Sequence, residues 1–202
     1  FPYTRLVEEN RRRGRGQPEY ELLDTGVFEG DRYFDVTIEY AKAAPNDLLI
    51  CIEAANRGPE AARLHVLPTL WFRNTWSWGR SGEGYWPRPH MACLSRSGVV
   101  AEHATLGTFH LEGEPIGTAG PTPLLTGNET NRERLFGTAN PTAYVKDAFH
   151  EYVIHGRRDA VNPDGVGTKA ALHYVLDVPA TGTSVVRLRL RDTSEAGDPD
   201  PF

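Results

Sequence analysis

All four tryptophans of the chain lie within residues 71–86, in the run WFRNTWSWGRSGEGYW. Arginine and asparagine side chains stand among them. An indole face stacks on the apolar face of a sugar ring, while neighbouring amide and guanidinium groups hydrogen-bond the sugar hydroxyls. The stretch is therefore a candidate carbohydrate-binding site, and its candidate residues are Arg73, Asn74, Trp76, Trp78 and Trp86.

The same stretch has a second interpretation, in which the tryptophans are packing residues. Trp71 and Phe72 would finish a core strand. The other tryptophans would pack beneath a long loop or against a neighbouring domain. The residue types alone leave both interpretations open.

No other group of residues predicts catalysis. Neither Ser81 nor Ser97 stands in the Gly-x-Ser-x-Gly spacing of a nucleophile elbow. Cleavage of a glycosidic bond uses a pair of carboxylates, and the acidic residues between 147 and 164 show no spacing that selects two of them. We predict no catalytic residue, no metal ligand and no cofactor for this chain.

The composition argues against two classes of partner. The 202 residues carry a formal net charge of −5, whereas nucleic acids and anionic membranes attract basic surfaces. A local basic run at residues 11–15 is interpreted as the solvated end of a helix, with a phosphate-binding patch as the alternative. Cys51 and Cys93 suggest no disulfide framework, and no signal peptide or long apolar run is present. This combination predicts a soluble, cytoplasmic protein.

Hydrophobic periodicity predicts the elements that would position the tryptophans. Residues 2–13 are typical of a short helix that ends near Gly14. Residues 32–40 predict a half-buried strand with Phe34, Val36, Ile38 and Tyr40 on its inner face. Residues 48–54 and 63–72, joined by a turn at 56–60, predict an antiparallel hairpin.

A second hairpin is predicted for the C-terminal part, over residues 172–178 and 186–191. Its apolar residues alternate with His173 in the first strand and with Arg187, Arg189 and Arg191 in the second, so we expect the charged face to be solvated. Weaker strands are predicted at residues 98–103, 106–111, 124–126 and 150–155, and one or two helical turns at 130–136. Together these elements predict a mainly β fold, a two-sheet antiparallel β-sandwich with a short N-terminal helix.

Six runs of the sequence resemble one protein family. They are ELLDTGVF (21–28), DRYFDV (31–36), NRGPEAA (56–62), LPTLWFRNTWSW (67–78), NETN (128–131) and GTKAA (167–171). In this order they resemble large bacterial proteins of glycoside hydrolase family 63, often labelled glucosidase, which are relatives of the processing α-glucosidase that trims N-glycans. The resemblance covers nearly the whole chain.

The resemblance implies an N-terminal, supersandwich-like β-sandwich followed by an (α/α)₆ barrel that carries the acid and base carboxylates. Residues 1–191 would form the sandwich as a single domain, and the acidic Pro/Gly-rich residues 192–202 would be a linker toward the barrel. No part of this sequence matches the barrel. The resemblance therefore assigns no catalytic residue to this chain.

The resemblance also implies which segments would face the barrel. One is the tryptophan stretch. The other is residues 140–150, where Tyr144, Lys146 and Asp147 are expected at the domain interface or the rim of the pocket.

The leading hypothesis is a non-catalytic sandwich domain of a family 63-like glycoside hydrolase. It would pack against the barrel and help to shape its pocket, and the whole enzyme would act on α-glucosides or α-mannosides. One alternative is a free-standing carbohydrate-binding module that uses residues 71–86 to bind α-linked oligosaccharides. The other is a purely structural domain.

Overall fold

The computed structural model describes residues 1–117 and 120–194. This part of the chain is mainly β, with two antiparallel sheets in a sandwich-like arrangement and a short N-terminal helix, so the predicted fold class is confirmed. The α-helices are α1 (Tyr3–Arg12), α2 (Arg132–Phe136) and α3 (Ala148–Ile154). The strands are β1 (Phe34–Ala44), β2 (Asp47–Asn56), β3 (Ala62–Val66), β4 (Thr69–Trp71), β5 (His90–Ser95), β6 (Gly98–His103), β7 (Gly107–Gly113), β8 (Thr122–Thr126), β9 (Val166–Gly167), β10 (Lys169–Val178) and β11 (Thr183–Asp192).

The larger sheet has seven strands in the order β1-β2-β11-β7-β6-β5-β9. The smaller sheet has four strands and is organised around β10, which pairs with β3 and β4 and also with β8. Ala170, Ala171 and Leu172 of β10 are fully buried, and β4 and β8 pair with β10 along Lys169–Ala171. A cluster of Leu124, Phe149 and Ala171 forms the core beside this strand.

Both predicted hairpins are wrong. Strands β2 and β11 belong to the seven-stranded sheet, whereas β3 and β10 belong to the four-stranded sheet. The turns after β2 and after β10 therefore carry the chain from one sheet to the other. Alternation shows that a strand has one apolar face. It does not show whether the next strand pairs with it in the same sheet or lies in the opposite sheet, because the apolar face is the same in both cases.

The prediction of a solvated charged face on the last two strands is also wrong at two positions. His173 and Arg189 are both only 8% exposed. Arg189 donates from Nε and Nη2 to the buried carboxylate of Asp47, at 2.8 Å and 2.6 Å. A charged side chain can be buried when a partner of opposite charge hydrogen-bonds it.

Strand β1 is not half-buried as its alternation predicts. Val36, Ile38 and Tyr40 are about half exposed or more, at 52%, 49% and 68%. The strand lies at the edge of the seven-stranded sheet. Alternation identifies residues that share a face but not whether another layer covers that face.

The predicted strand at residues 150–155 is wrong, because most of it belongs to helix α3. Ala148 and Phe149 are buried, and Tyr152 packs against the Leu124–Phe149–Ala171 cluster. This spacing of three to four residues is that of a helix face. The helical turns predicted at 130–136 are confirmed as α2.

The chain divides into two compact units, and the smaller one comprises Phe1–Thr37, Glu53–Arg63 and Asp177–Ser184. Within it, the buried Asn56 donates from Nδ2 to the carbonyl oxygens of Glu60, Val178 and Pro179 at 2.8, 3.2 and 3.0 Å. In helix α1, Arg12 pairs with Glu9 at 3.0 Å, as expected at a solvated helix end.

The larger unit comprises the described residues of Ile38–Ile52, Leu64–Leu176 and Val185–Phe202. It contains every residue of the site considered below. Of the predicted linker at 192–202, Asp192 ends β11, and residues 195–202 lie outside the described part of the chain. No helix in the described residues is long and apolar enough to cross a membrane.

Candidate functional site

A cavity of about 390 Å³ lies where the start of β10 meets the ends of β4 and β8 and the loops that follow those two strands. We name it the tryptophan–lysine cavity. Its lining residues are Trp71, Asn74, Ser77, Trp78, Asn128, Thr130, Lys146 and Lys169.

Strand pairing explains why residues so distant in sequence meet at this cavity. Lys169, the first residue of β10, lies opposite Trp71 of β4 on one side and opposite Thr126 of β8 on the other. Both pairings are antiparallel, so the last residues of β4 and β8 lie beside the first residue of β10. The loops that leave β4 and β8 therefore start at the same edge, and they supply both asparagines, the serine, the threonine and the second tryptophan of the lining.

Asn128 fixes these two loops to each other. Its side-chain Nδ2 donates to the backbone carbonyl oxygen of Phe72 at 2.8 Å. Its backbone carbonyl oxygen accepts from Nδ2 of Asn74 at 3.1 Å. Its backbone N–H donates to Oγ1 of Thr168 at 2.8 Å. The two asparagines that line the cavity are thus held in place before any ligand binds, which lowers the entropic cost of binding.

Trp71 and Trp78 are about half exposed to solvent. They are 56% and 50% exposed, and both line the cavity. Trp78 lies in a 3₁₀ turn over residues Trp76–Trp78, which ends at Gly79 in the left-handed conformation (φ 65°). The guanidinium carbon of Arg73 lies 5.5 Å from the centroid of the Trp78 ring, in cation–π geometry.

Trp76 is directed into the protein and anchors the 3₁₀ turn. Its Nε1 donates to Oε1 of Glu129 at 2.9 Å, and Arg88 donates from Nε to the same oxygen at 3.2 Å. The Glu129 side chain is only 8% exposed. Its Oε2 is buried and has no hydrogen-bond partner among the described residues.

Two lysines supply the charge of the cavity. Nζ of Lys169 donates to the carbonyl oxygen of Lys146 at 2.7 Å and lies 5.0 Å from the centroid of the Phe149 ring. Burial lowers the pKa of Lys169; the carboxylate of Asp147 opposes that shift, and the charge of Lys146 adds to it. The lining contains no carboxylate among the described residues.

Asp147 lies close to the cavity but is occupied by other partners. Nδ2 of Asn131 donates to its two carboxylate oxygens at 3.2 and 3.1 Å, and Arg134 donates from Nη1 at 3.1 Å. Burial raises the pKa of Asp147, but the hydrogen bonds from Arg134 and Asn131 outweigh it, so the pKa is lowered overall. This carboxylate connects α2 to the start of α3.

The structure brings together part of the predicted site. Asn74, Trp78 and Lys146 line the cavity, and Arg73 contacts Trp78. The other four predicted residues do not line it: Trp76 binds Glu129, Asp147 binds Arg134, Tyr144 lines a separate cavity of about 210 Å³, and Trp86 is 36% exposed elsewhere.

Sequence reasoning missed five lining residues: Trp71, Ser77, Asn128, Thr130 and Lys169. The runs NETN and GTKAA contain three of them and support the family resemblance, but no spacing connects them to the tryptophans. Their proximity depends on the pairing of β10 with β4 and β8.

Comparison with known proteins finds a similar protein in yeast. No protein-family model matches the chain. The chain is 31% identical, over 217 aligned positions, to the uncharacterized protein YMR196W of Saccharomyces cerevisiae. The alignment covers 94% of this chain but 20% of the yeast protein, so the chain spans about one fifth of the length of that relative.

Proposed function

We propose that this chain is a non-catalytic β-sandwich of a glycoside hydrolase resembling family 63, and that it binds saccharide in the tryptophan–lysine cavity. The observation that carries the proposal is the pair of half-exposed indoles, Trp71 and Trp78, beside fixed amide groups in one concave site. A sugar ring offers an apolar face to the indoles and hydroxyl groups to Asn74 and Asn128.

The dimensions of the cavity fit this role. Its volume of about 390 Å³ lies within the range of roughly 300–1,000 Å³ that is typical of small-molecule sites. Hydroxyl and amide groups of Ser77, Thr130, Asn74 and Asn128 supply both donors and acceptors. A short stretch of oligosaccharide is the ligand that uses all of these groups.

The proposal assigns binding, and not cleavage, to this part of the polypeptide. Glycoside hydrolysis uses two carboxylates on either side of the scissile bond. The lining has none among the described residues, and Asp147 beside it is held by Arg134 and Asn131. The acid and base would reside on the (α/α)₆ barrel that the family resemblance implies.

A second candidate function is docking to that barrel. It is favoured by apolar side chains that the described residues leave exposed, among them Ile38 and Tyr40 on β1 and Leu135 and Phe136 on α2. Exposed apolar residues that lie together mark interaction surfaces in many proteins, and alternation places Ile38 and Tyr40 on one face of β1. The fivefold greater length of the yeast relative leaves room for such a partner domain.

The unpaired Cys51 and Cys93 fit a reducing compartment such as the cytoplasm.

Saccharide binding is tested by titrating the chain with short α-gluco- and α-manno-oligosaccharides, with tryptophan fluorescence and calorimetry as readouts. We expect saturable binding with Kd below about 1 mM, or roughly −4 kcal/mol. Trp78→Ala should abolish it, whereas Trp86→Ala, which alters a tryptophan outside the lining, should not. An absence of binding at 10-fold higher ligand concentration would contradict the proposal.

Docking is tested separately, by mixing the chain with the remaining polypeptide of its parent protein expressed on its own. We expect a stable complex in sedimentation experiments, weakened by the double substitution Ile38→Ser and Tyr40→Ser. If the two pieces stay apart, these apolar residues do not form the interface.

A further inference from the structure

The chain has three lysines, Lys42, Lys146 and Lys169, and two of them line the tryptophan–lysine cavity. Arginine is far more frequent in this sequence, yet no arginine lines the cavity among the described residues. The net charge of the chain is −5, so this cavity is a positive site on an acidic protein. Such a local concentration of charge attracts an anion.

The two cavity lysines have no paired carboxylate among the described residues, although the charge of Asp147 still favours the ammonium form of Lys169. No salt bridge of Lys146 or Lys169 is present in the described part of the chain. The ammonium of Lys169 has a backbone carbonyl oxygen and the ring of Phe149 as its partners, and both are uncharged. The carboxylate that acts on Lys169, that of Asp147, already accepts hydrogen bonds from Arg134 and Asn131.

This arrangement is unfavourable without a ligand. Partial burial has the largest effect on Lys169 and disfavours its charged form, and the charge of Lys146 adds to it. The carboxylate of Asp147 offsets only part of this, because the pKa of Lys169 remains lowered overall. An anion placed between the two ammonium groups would offset both effects and accept charge-assisted hydrogen bonds. A neutral sugar can accept hydrogen bonds from the lysines but cannot supply the missing charge.

The strand register places this positive charge beside an indole. Lys169 lies directly opposite Trp71 in the pairing of β10 with β4. Side chains of opposite residues in an antiparallel pair start about 4.5–5.5 Å apart at Cβ. A ring stacked on Trp71 would therefore lie on the face of the sheet that also carries the Lys169 side chain.

We propose that the tryptophan–lysine cavity binds an anionic saccharide, whose carboxylate or phosphate is held by Lys146 and Lys169 while its sugar ring stacks on Trp71 and Trp78. The proposal rests on the saccharide binding proposed above and specifies its ligand class. A uronic acid and a sugar phosphate share this chemistry, and the test separates them.

The experiment is calorimetric titration of the chain with methyl α-glucoside, methyl α-glucuronide, glucose 6-phosphate and inorganic phosphate at constant ionic strength. We expect at least one of the two anionic sugars to bind 10-fold or more tightly than methyl α-glucoside and than phosphate. The sugar that shows the larger gain identifies the anionic group. Lys146→Gln, at an exposed position, should remove most of the gain, and Lys42→Gln, outside the cavity, should not.

A second readout does not depend on any variant. Reductive ¹³C-dimethylation of the chain yields one methyl resonance for each of its three lysines, besides that of the terminal amine. The favoured anionic sugar should shift the signals of Lys146 and Lys169 and leave that of Lys42 in place.

The outcomes distinguish the two proposals. Equal affinities for neutral and anionic sugars would overturn the anionic preference and leave saccharide binding intact. Phosphate that binds as tightly as glucose 6-phosphate would also overturn it, because the sugar would then contribute nothing. If no sugar binds, neutral or anionic, both proposals fail.

Discussion

The indole Nε1 of Trp76 donates a 2.9 Å hydrogen bond to Oε1 of Glu129, whose side chain is 8% exposed. The backbone carbonyl oxygen of Glu129 in turn accepts from the N–H of Lys146 at 2.9 Å. One buried glutamate thus connects the tryptophan stretch to the segment that carries a cavity lysine. Trp76 is an anchor of the site, and its indole is not available to a ligand in the way that Trp78 is.

The substitution Trp76→Phe should destabilise the chain. It retains an aromatic ring but removes the donor to a buried carboxylate, for which we expect a loss of about 1–3 kcal/mol in the free energy of unfolding. Urea denaturation measures this loss. Trp86→Phe is the control, because Trp86 is partly exposed and makes no such bond. Equal stability of the two variants would mean that the Trp76–Glu129 bond contributes nothing.

The substitution Gly127→Ala should also be destabilising. A Cβ at this position would overlap Oε2 of Glu129 and would lie 2.7 Å from the carbonyl oxygen of Tyr144. Because both neighbours are held in place, we expect a cost of about 1–3 kcal/mol. Gly14→Ala is the matched control, since no atom lies within 4 Å of a Cβ built there. Thermal unfolding of the two variants provides the comparison, and similar melting temperatures would contradict the prediction.

Removing Asp47 should have a large effect, because it leaves the buried guanidinium of Arg189 without this carboxylate. We expect Asp47→Leu to cost about 3–5 kcal/mol, and the double variant Asp47→Leu, Arg189→Met to recover part of that loss. The exposed Asp35–Arg57 pair is the control, since solvent screens it and Asp35→Ala should cost much less. A double-mutant cycle without coupling between Asp47 and Arg189 would show that the pair is energetically unimportant.

The Asp47 pair also predicts an acid limit of stability. The hydrogen bond from Arg189 lowers the pKa of Asp47 despite the opposing effect of burial. A carboxyl group with a lowered pKa in the folded state stabilises that state above its unfolded pKa, about 3.9, and this contribution is lost as the pH falls further. Chemical denaturation of wild type and Asp47→Asn between about pH 5 and about pH 3 measures this contribution. The free energy of unfolding should fall more steeply with decreasing pH in wild type than in the variant. Parallel curves would exclude this contribution.

A histidine pair in the four-stranded sheet predicts pH dependence nearer neutrality. Nδ1 of His65 and Nε2 of His173 are 2.8 Å apart, with Tyr152 edge-on to His173. Burial lowers the pKa of His173, and the charge of His65 lowers it further. A base with a lowered pKa stabilises the fold above its unfolded pKa of about 6.5, and stability decreases as the pH falls below that value.

The expected slope is up to about 1.4 kcal/mol per pH unit, the value for one proton. Replacement His173→Gln should reduce this slope between about pH 6.5 and pH 5, whereas His150→Gln, at an exposed position, should leave it unchanged. The measurement is the free energy of unfolding in urea at a series of pH values. An undiminished slope in His173→Gln would assign the pH dependence to other groups.

Several features of this protein follow from local sequence alone. Alternating hydrophobicity and frequent turn residues predict a mainly β sandwich, and the helices at residues 3–12 and 132–136 are recognisable from their ends and spacing. The concentration of all tryptophans in residues 71–86 marks the region of the candidate site. These signals are local because side-chain periodicity depends on the backbone conformation of a few consecutive residues.

Only the tertiary structure decides which strands pair and which tryptophans remain open. Residues 172–178 and 186–191 alternate like a hairpin, yet β10 and β11 belong to different sheets. Trp76 and Trp78 are two residues apart, yet one binds a buried carboxylate and the other lines a cavity. Lys169 lies beside Trp71 because β4 and β10 pair, and the hydrogen bonds of that pairing join segments whose separation in sequence leaves no periodic signal.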